Sequence, residues 1–463
     1  MKILVYLDPS IYERLSHLDY VYNGVLLKNQ TQKQYQLRFM LAQELIESQK
    51  KDSAYQKLDF IPIRKIDYYE IFQEKDREKV HIQVLLNQLH PLEKQKLIQF
   101  YKQAFSEWTP DVIIFYEYNN PILREAFPQI LCLSSQAGIF ARKPFPVSLF
   151  FDPIGFLRNN SLKAFEKEIK SFSLNDQQKI LIGEFKSHII KTIDKFNPFK
   201  NKFLHLRKKY KNLVLLPLSA APTLFVKTEL NFLDAEQMFH SLMKQIPNNV
   251  GVVMTQHPAN KIFQHKQIKL LQKKYTNLIY IKEVEFYSIS SLFLFQFVDA
   301  VINFHSTTGF QALLWNKKII SISNTSNDLI KDGQGISALE QVLRSPETDK
   351  SHILYWLLLH YYTYEFDYEN SEYVLNFFSR WKKIQQRPFT FAHFQPNSSL
   401  ENLSKHILPS FRQNVETMVR SSIQKRKHHC RKSHWLGFFL KIKRPTYTRY
   451  HIGHFVFKIK NKF

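Results

Sequence analysis

The apolar positions of this 463-residue chain fall into short uninterrupted runs separated by longer amphipathic stretches. The first run, KILVYL at 2–7, ends at Asp8; others lie at 111–116, 128–133 and in PVSLFF just before Asp152. Short apolar runs closed by turn formers read as strands buried on both faces. Between them, 31–50, 90–108 and 161–196 carry the helical period. The last is long and charged and reads as a connector. A basic, turn-rich stretch follows at 197–210 (NPFKNKFLHLRKKY), where a domain boundary is expected.

A second alternating series starts beyond it. NLVLLPL (212–218), VGVVMTQ (250–256), 278–281, VDAVINF (298–304) and 318–322 read as strands. The stretches 233–245, 261–274, 288–297 and 310–316 read as helices. Strands alternating with helices imply parallel sheets with helices on both faces. After Gly333 the pattern turns helical, at 336–344, 351–362 and 372–386. The expected fold class is α/β, with two Rossmann-like domains facing a cleft, a helical C-terminal region and a basic tail. The expected divisions are 1–200, 210–345, 346–410 and 420–463.

Composition removes several function classes. With 44% hydrophobic and 15% aromatic residues the chain can fill large cores, which excludes wholesale disorder. Glycine is scarce, 10 in 463 residues against a usual ~7%. Neither GxGxxG nor GxxxxGK[ST] occurs, so a glycine-dense phosphate loop is excluded. Two cysteines, Cys132 and Cys430, make no disulfide framework and suit a reducing compartment. The apolar run ILVYL is too short for a signal-peptide core. The longest apolar candidate, 292–304, is interrupted by Gln296, Asp299 and Asn303, so no membrane span and a cytoplasmic location are expected.

Charge adds a partner. Lys+Arg number 65 and Asp+Glu 40, a formal net charge of +25. The stretch 420–463 holds thirteen Lys/Arg and no acid, interleaved with aromatics such as Trp435, Phe438, Tyr447 and Phe457. Such a patch suits an anionic membrane surface, nucleic acid, or a merely solvated tail. The preferred reading is the inner-membrane surface, with no nucleic acid. His428, His429, Cys430 and His434 lack the paired spacing of a zinc site, so no metal is expected.

Ligands of open parallel sheets bind beyond the carboxyl ends of strands, which singles out three places. His257 and Pro258 follow VGVVMTQ, where a histidine can donate to a phosphate or base edge; an ordinary strand-ending turn is the alternative. His305, Ser306, Thr307, Thr308 and Gly309 follow VDAVINF and open a helix, where hydroxyls and free N–H groups favour an anion; capping alone accounts for part of this. Gly309 is expected to allow close approach of a phosphate. Asp152 ends PVSLFF before a proline, either as a catalytic carboxylate or as a turn former.

These segments resemble a known family in order and spacing. VDAVINFHSTTGFQALLWNKKIISI resembles the D-x-V…S-T-x-G-x-E-A-L…G-K-P-V-I segment of capsule-polysaccharide glycosyltransferases, which include bacterial Kdo transferases. VGVVMTQHPANK resembles the HP segment they share with bacterial sialyltransferases. NLVLLPLSAAPT resembles the opening strand of their second domain, SQAGIF…PVSLFFDPIGFLR their first-domain acidic-glycine region, and ILYWLLLHYYTY their C-terminal helix. The resemblance implies a GT-B fold with the nucleotide, usually CMP, on the second domain. It implies nucleotide contacts from His257, Pro258, His305, Ser306, Thr307, Thr308, Gly309 and Gln311. It also implies an acceptor side near Gln136, Gly138 and Arg158, and a first-domain carboxylate.

Two positions depart from the family pattern: Gln136 stands where an acid often precedes the glycine, and Gln311 where the family has Glu. A glutamine cannot act as a general base, so Asp152 is the expected catalytic carboxylate. The implied activity transfers a Kdo or sialic-acid-like sugar from a CMP-sugar to a glycan or lipid-linked acceptor at the inner membrane. Neither metal nor cofactor is expected, in keeping with the lack of an Asp-x-Asp motif. The alternatives are a CDP-polyol phosphotransferase of teichoic-acid type and a non-enzymatic membrane or nucleic-acid binder.

Overall fold

The computed structural model describes residues 1–9, 35–49, 58–74, 76–116, 119–156, 159–218, 232, 234–257, 261–287, 289–304, 306–385 and 388–439, and strand segments within 443–460. Two sheets flanked by helices form its body. The first has the order β13-β6-β5-β4-β1-β2-β3. Its strands are β1 (Lys2–Tyr6), β2 (Gln36–Ala42), β3 (Asp59–Ile63), β4 (Val112–Tyr116), β5 (Leu131–Ala137), β6 (Ser148–Asp152) and β13 (Tyr362–Tyr364). Strands β1 to β5 are parallel, β6 is antiparallel to β5, and β13 is antiparallel to β6.

The second sheet is parallel throughout, in the order β12-β11-β10-β7-β8-β9. It comprises β7 (Asn212–Leu218), β8 (Val250–Gln256), β9 (Leu278–Ile279), β10 (Ala300–Asn303), β11 (Lys318–Ser321) and β12 (Gly333–Gln334). In each sheet the winding reverses at the first strand: β1 lies between β2 and β4, and β7 between β8 and β10. A reversal sends the flanking connections to opposite faces and leaves a crevice at the carboxyl ends. In the second sheet Pro217 fits this opening. The β7–β10 ladder runs only through Val214 and Leu215, so Pro217, which has no N–H to give, lies past it.

The α/β class with two Rossmann-like units is therefore as expected, and β7 and β8 have the expected bounds. The differences are local. The stretch 31–50, read as one helix, contains β2 followed by the helix Gln43–Gln49. The connector 161–196 is three helices, Ser161–Ala164, Glu166–Lys170 and Asp176–Lys195. The turn-rich 197–210 contains the helix Lys200–Lys209. In 351–362 the helix Ser351–Trp356 passes into a π turn, Leu357–Tyr361, and the chain then returns to the first sheet as β13.

One hydrophobic core runs through both units. Phe185 and Ile189 of helix Asp176–Lys195 share it with Leu292 and Phe295 of the second unit and with Trp356. The 40-residue helix Leu400–Phe439 adds Leu403, Ile407, Phe411 and Val415, a stripe repeating every four residues. This helix passes through position 420, and Arg426 on it reaches Glu283 of the second unit at 3.5 Å. Beyond it, 447–452 and 455–460 pair antiparallel. Among the described residues no helix is long and apolar enough to cross a membrane.

Candidate functional site

The two motif segments of the second unit end β8 and β10, the strands that flank β7. His257 follows β8, and its N–H bonds to Leu218 O at 2.9 Å, extending the β7–β8 ladder by one step. Ser306 follows β10, on the other side of β7. Two strand spacings of ~4.8 Å put the two strand ends roughly 10 Å apart across the crevice. His257 is half-buried. Burial, and then the positive charge of Arg142, lower its pKa, so its imidazole is neutral at pH 7 and offers one N–H and one lone pair.

Ser306 is the N-cap of the helix Thr307–Ala312. Its hydroxyl accepts from Thr308 N (3.2 Å) and donates to Thr308 Oγ1 (3.0 Å), which leaves the Thr308 proton for another acceptor. Thr307 is half-buried and its hydroxyl has no partner among the described residues. The β10 end is held from below: Phe304 O accepts from Thr325 Oγ1 (3.1 Å) and from the Ser323 hydroxyl. Gln256 pins the chain beyond His257, accepting from Ile262 N and Phe263 N (3.1 and 2.8 Å) and donating to Phe263 O (3.1 Å). Pro258, His305 and Arg158 lie outside the described residues.

One expectation is overturned, and three other expected site residues take packing or bridging roles. Asp152 is fully buried. Its Oδ1 accepts from Ile154 N (2.9 Å), Gly155 N (3.1 Å) and Ser161 Oγ (2.9 Å), and its Oδ2 from Ser161 N (2.8 Å) and Tyr361 OH (2.9 Å). Burial raises its pKa against the pull of these donors. With five donors on two oxygens and no exposed surface, Asp152 positions structure and does not reach a substrate. It fixes the start of helix Ser161–Ala164, from which Lys163 crosses to Asn324 (2.8 Å) and Asp328 of the second unit.

Gly309 is required by packing. A Cβ there would lie 2.2 Å from Asn303 Nδ2, which donates to Ser306 O at 2.9 Å. Gly138 likewise makes room, since a Cβ would lie 2.6 Å from both the Tyr362 ring and Ser148 Oγ. Gln311 donates through Nε2 to Ile139 O of the first unit at 2.8 Å. The amide thus bridges the units, which the carboxylate of a glutamate could not do as a donor. Gln136 sits on β5 opposite Phe150 of β6, half-buried.

Two residues were missed by sequence reasoning. Asp8 follows β1 at the reversal of the first sheet, is almost fully buried and accepts from Tyr6 OH at 3.3 Å. Around it Tyr6, Tyr101 and Asn120 share hydrogen bonds of 2.9–3.2 Å. Its place directly after the first strand was the available signal. Arg142, near His257, follows no strand and had none. Cys132 is buried and its thiol is pushed up to about 11, which removes it as a nucleophile. Among the described residues no three His, Cys, Asp or Glu stand together as a metal site. The side chains of His428, His429, Cys430 and His434 lie outside the described ones.

Two Rossmann-like units with reversals at β1 and β7 make this a GT-B-like α/β protein. Residues 202–338, which hold the whole second sheet, match the family described as capsule polysaccharide biosynthesis protein. The family read from the motifs is thus borne out over that unit. No curated protein matches the chain. Among solved structures it is similar to the Thermosulfurimonas dismutans KpsC beta Kdo 2,7 transferase, at 15% identity, covering 62% of this chain and 88% of that one, TM-score 0.34. It is also similar to CalG4, the calicheamicin glycosyltransferase, at 11% identity, 76% and 93% coverage, TM-score 0.34. A third is the UDP-GlcNAc 2-epimerase of Methanocaldococcus jannaschii, at 10% identity, 76% and 98% coverage, TM-score 0.31.

Proposed function

We propose that the protein is a glycosyltransferase of surface-polysaccharide synthesis that moves a Kdo or sialic-acid-like sugar from a CMP donor to a glycan or lipid-linked acceptor. One observation carries the reading. His257 and the Ser306–Thr308 hydroxyls stand on either side of β7, at the winding reversal of the unit that matches the capsule family. As the anomeric C–O bond breaks, the sugar becomes oxocarbenium-like and the leaving phosphate gains charge. The hydroxyls of Thr307 and Thr308 and the N–H of neutral His257 donate to that charge. The acceptor hydroxyl loses its proton to a carboxylate of the first unit, and Asp8, at the carboxyl end of β1, takes the role once expected of Asp152. The basic tail holds the enzyme against the anionic inner membrane, where a lipid-linked acceptor lies.

The test is a thermal-shift panel of CMP, CDP, UDP, GDP and ADP on the native protein and on His257→Ala. A ligand at 100 times its Kd stabilises by ~2.7 kcal/mol. CMP alone should shift the native protein, and the variant should lose the shift. A shift by CDP alone points instead to a polyol-phosphate donor, and no shift by any nucleotide overturns the reading.

A further inference from the structure

The first sheet reverses its winding between β1 and β4, and the chains that leave these two strands part to opposite sides. Asp8 stands just beyond β1, and Asn120 just beyond β4. Both therefore lie where the crevice of an open sheet forms. Tyr6 is the last residue of β1, and Tyr101 comes from the helix Pro91–Ala104 behind it. All four side chains are buried.

The hydrogens of this cluster can be assigned one by one. Asn120 is the N-cap of the helix Pro121–Ala126, and its Oδ1 accepts from Leu123 N at 2.9 Å. That cap settles which end of the amide is which, because a reversed amide would set N–H against N–H. Nδ2 is therefore the end that meets the phenols, donating to Tyr101 OH at 2.9 Å and to Tyr6 OH at 3.2 Å. Each phenol keeps one proton to give. Burial and the charge of Asp8 raise the Tyr6 phenol well above its ordinary value, so its proton stays in place at neutral pH. Of the acceptors within reach of Tyr6, Asp8 is the charged one, and Tyr6 OH donates to its Oδ2 at 3.3 Å. The Tyr101 proton is then the one shared across the 2.9 Å Tyr6–Tyr101 contact. The chain of donors runs one way, from the helix cap to the carboxylate, and each link strengthens the next. Its last link is long for an O–H···O bond, as catalytic hydrogen bonds often are before substrate enters.

We propose that Asn120 and Tyr6 are positioning residues for the Asp8 carboxylate: Asn120 turns the Tyr6 hydroxyl outward, and that hydroxyl holds Asp8 toward the acceptor. This rests on the reading of Asp8 as the base. The cap of one short helix thereby sets the orientation of a side chain on another strand.

The experiment measures CMP released from CMP-Kdo and from a CMP-sialic acid by the full chain, with water in the acceptor's place. Asp8 takes the water proton as the C–O bond to phosphate breaks. The variants are Tyr6→Phe, Asn120→Asp, Asp8→Asn and the double variant Tyr6→Phe with Asp8→Asn. Asn120→Asp still caps the helix but has no N–H to give, so both phenols turn their protons toward it. Tyr6→Phe and Asn120→Asp should each lower kcat about ten- to a hundred-fold with KM unchanged. Tyr6→Phe should cost nothing further once Asp8 is Asn, because it acts through Asp8. An equal loss in both backgrounds assigns Tyr6 a structural role and overturns the inference. Native kcat in Tyr6→Phe or in Asn120→Asp, with Asp8→Asn slow, also overturns it and leaves Asp8 as the base. Native kcat in Asp8→Asn overturns the base and this inference together. A native protein that releases CMP from neither donor overturns the sugar-transfer reading, and this inference with it.

Discussion

Replacing Asp152 separates a catalytic carboxylate from a structural one. Asp152→Ala leaves five buried donors without their acceptor, three of them backbone N–H groups that cannot turn elsewhere: Ile154, Gly155 and Ser161. At ~1 kcal/mol each, the low end for an unmet buried donor, the three alone cost about 3 kcal/mol. For a chain of this size that lowers Tm by about 3 °C. Asp152→Asn keeps one oxygen for the donors on Oδ1, but its amide faces Ser161 N, so about half of that loss is expected. Both changes loosen helix Ser161–Ala164 and with it the Lys163–Asp328 pair between the units. The assay is thermal unfolding followed by near-UV circular dichroism, with turnover measured well below both midpoints. An unchanged Tm in both variants together with a thousand-fold loss of turnover would refute the structural assignment.

Other outcomes follow from single contacts. Asp8→Asn should keep the fold and reduce turnover by at least a hundred-fold in an acceptor-dependent CMP-release assay, whereas normal turnover removes Asp8 as the base. Gly309→Ala forces a methyl against Asn303 Nδ2 and should lower stability by about 1–3 kcal/mol in urea unfolding. Burial holds the Asp367 carboxyl up at about 6, above its ordinary 3.8. The raised value makes the charged form costly in the fold, so stability should rise as pH falls through 6 and level off below about 4, and Asp367→Asn should remove that rise while raising Tm at pH 7.5. Removing 427–463 should abolish flotation with phosphatidylserine vesicles and leave CMP binding intact.

The strands that were legible are those whose apolar runs end at a turn former. In β7 and β8 every residue but one is buried, so the run and the strand coincide. Strand β2 was hidden because QLRFMLA passes into QELIESQ without a turn residue, and the joint pattern has a helical period. Strand β3 contains Pro62, which argues against a central strand but is tolerated at the sheet edge where β3 lies. Strand β13 lay inside an unbroken apolar stretch that gives no period. In the site, His257 and Ser306 were legible because each follows a strand that was itself legible. Asp152 was misread because Tyr361, 209 residues away, covers it. Nothing local distinguishes an aspartate that faces a cleft from one that a distant tyrosine seals.

The return of the chain as β13 has a consequence for how the molecule is made. Strand β6 stays an open edge until residues 362–364 pair with it, and these leave the ribosome only after the whole second sheet. Most domains finish in the order of synthesis, but here the first unit waits for the second. A fragment ending near residue 200 exposes β6 as an unpaired edge, the usual template for aggregation. The two units are thus wound separately and completed together: the first sheet is closed by chain that has already built the second.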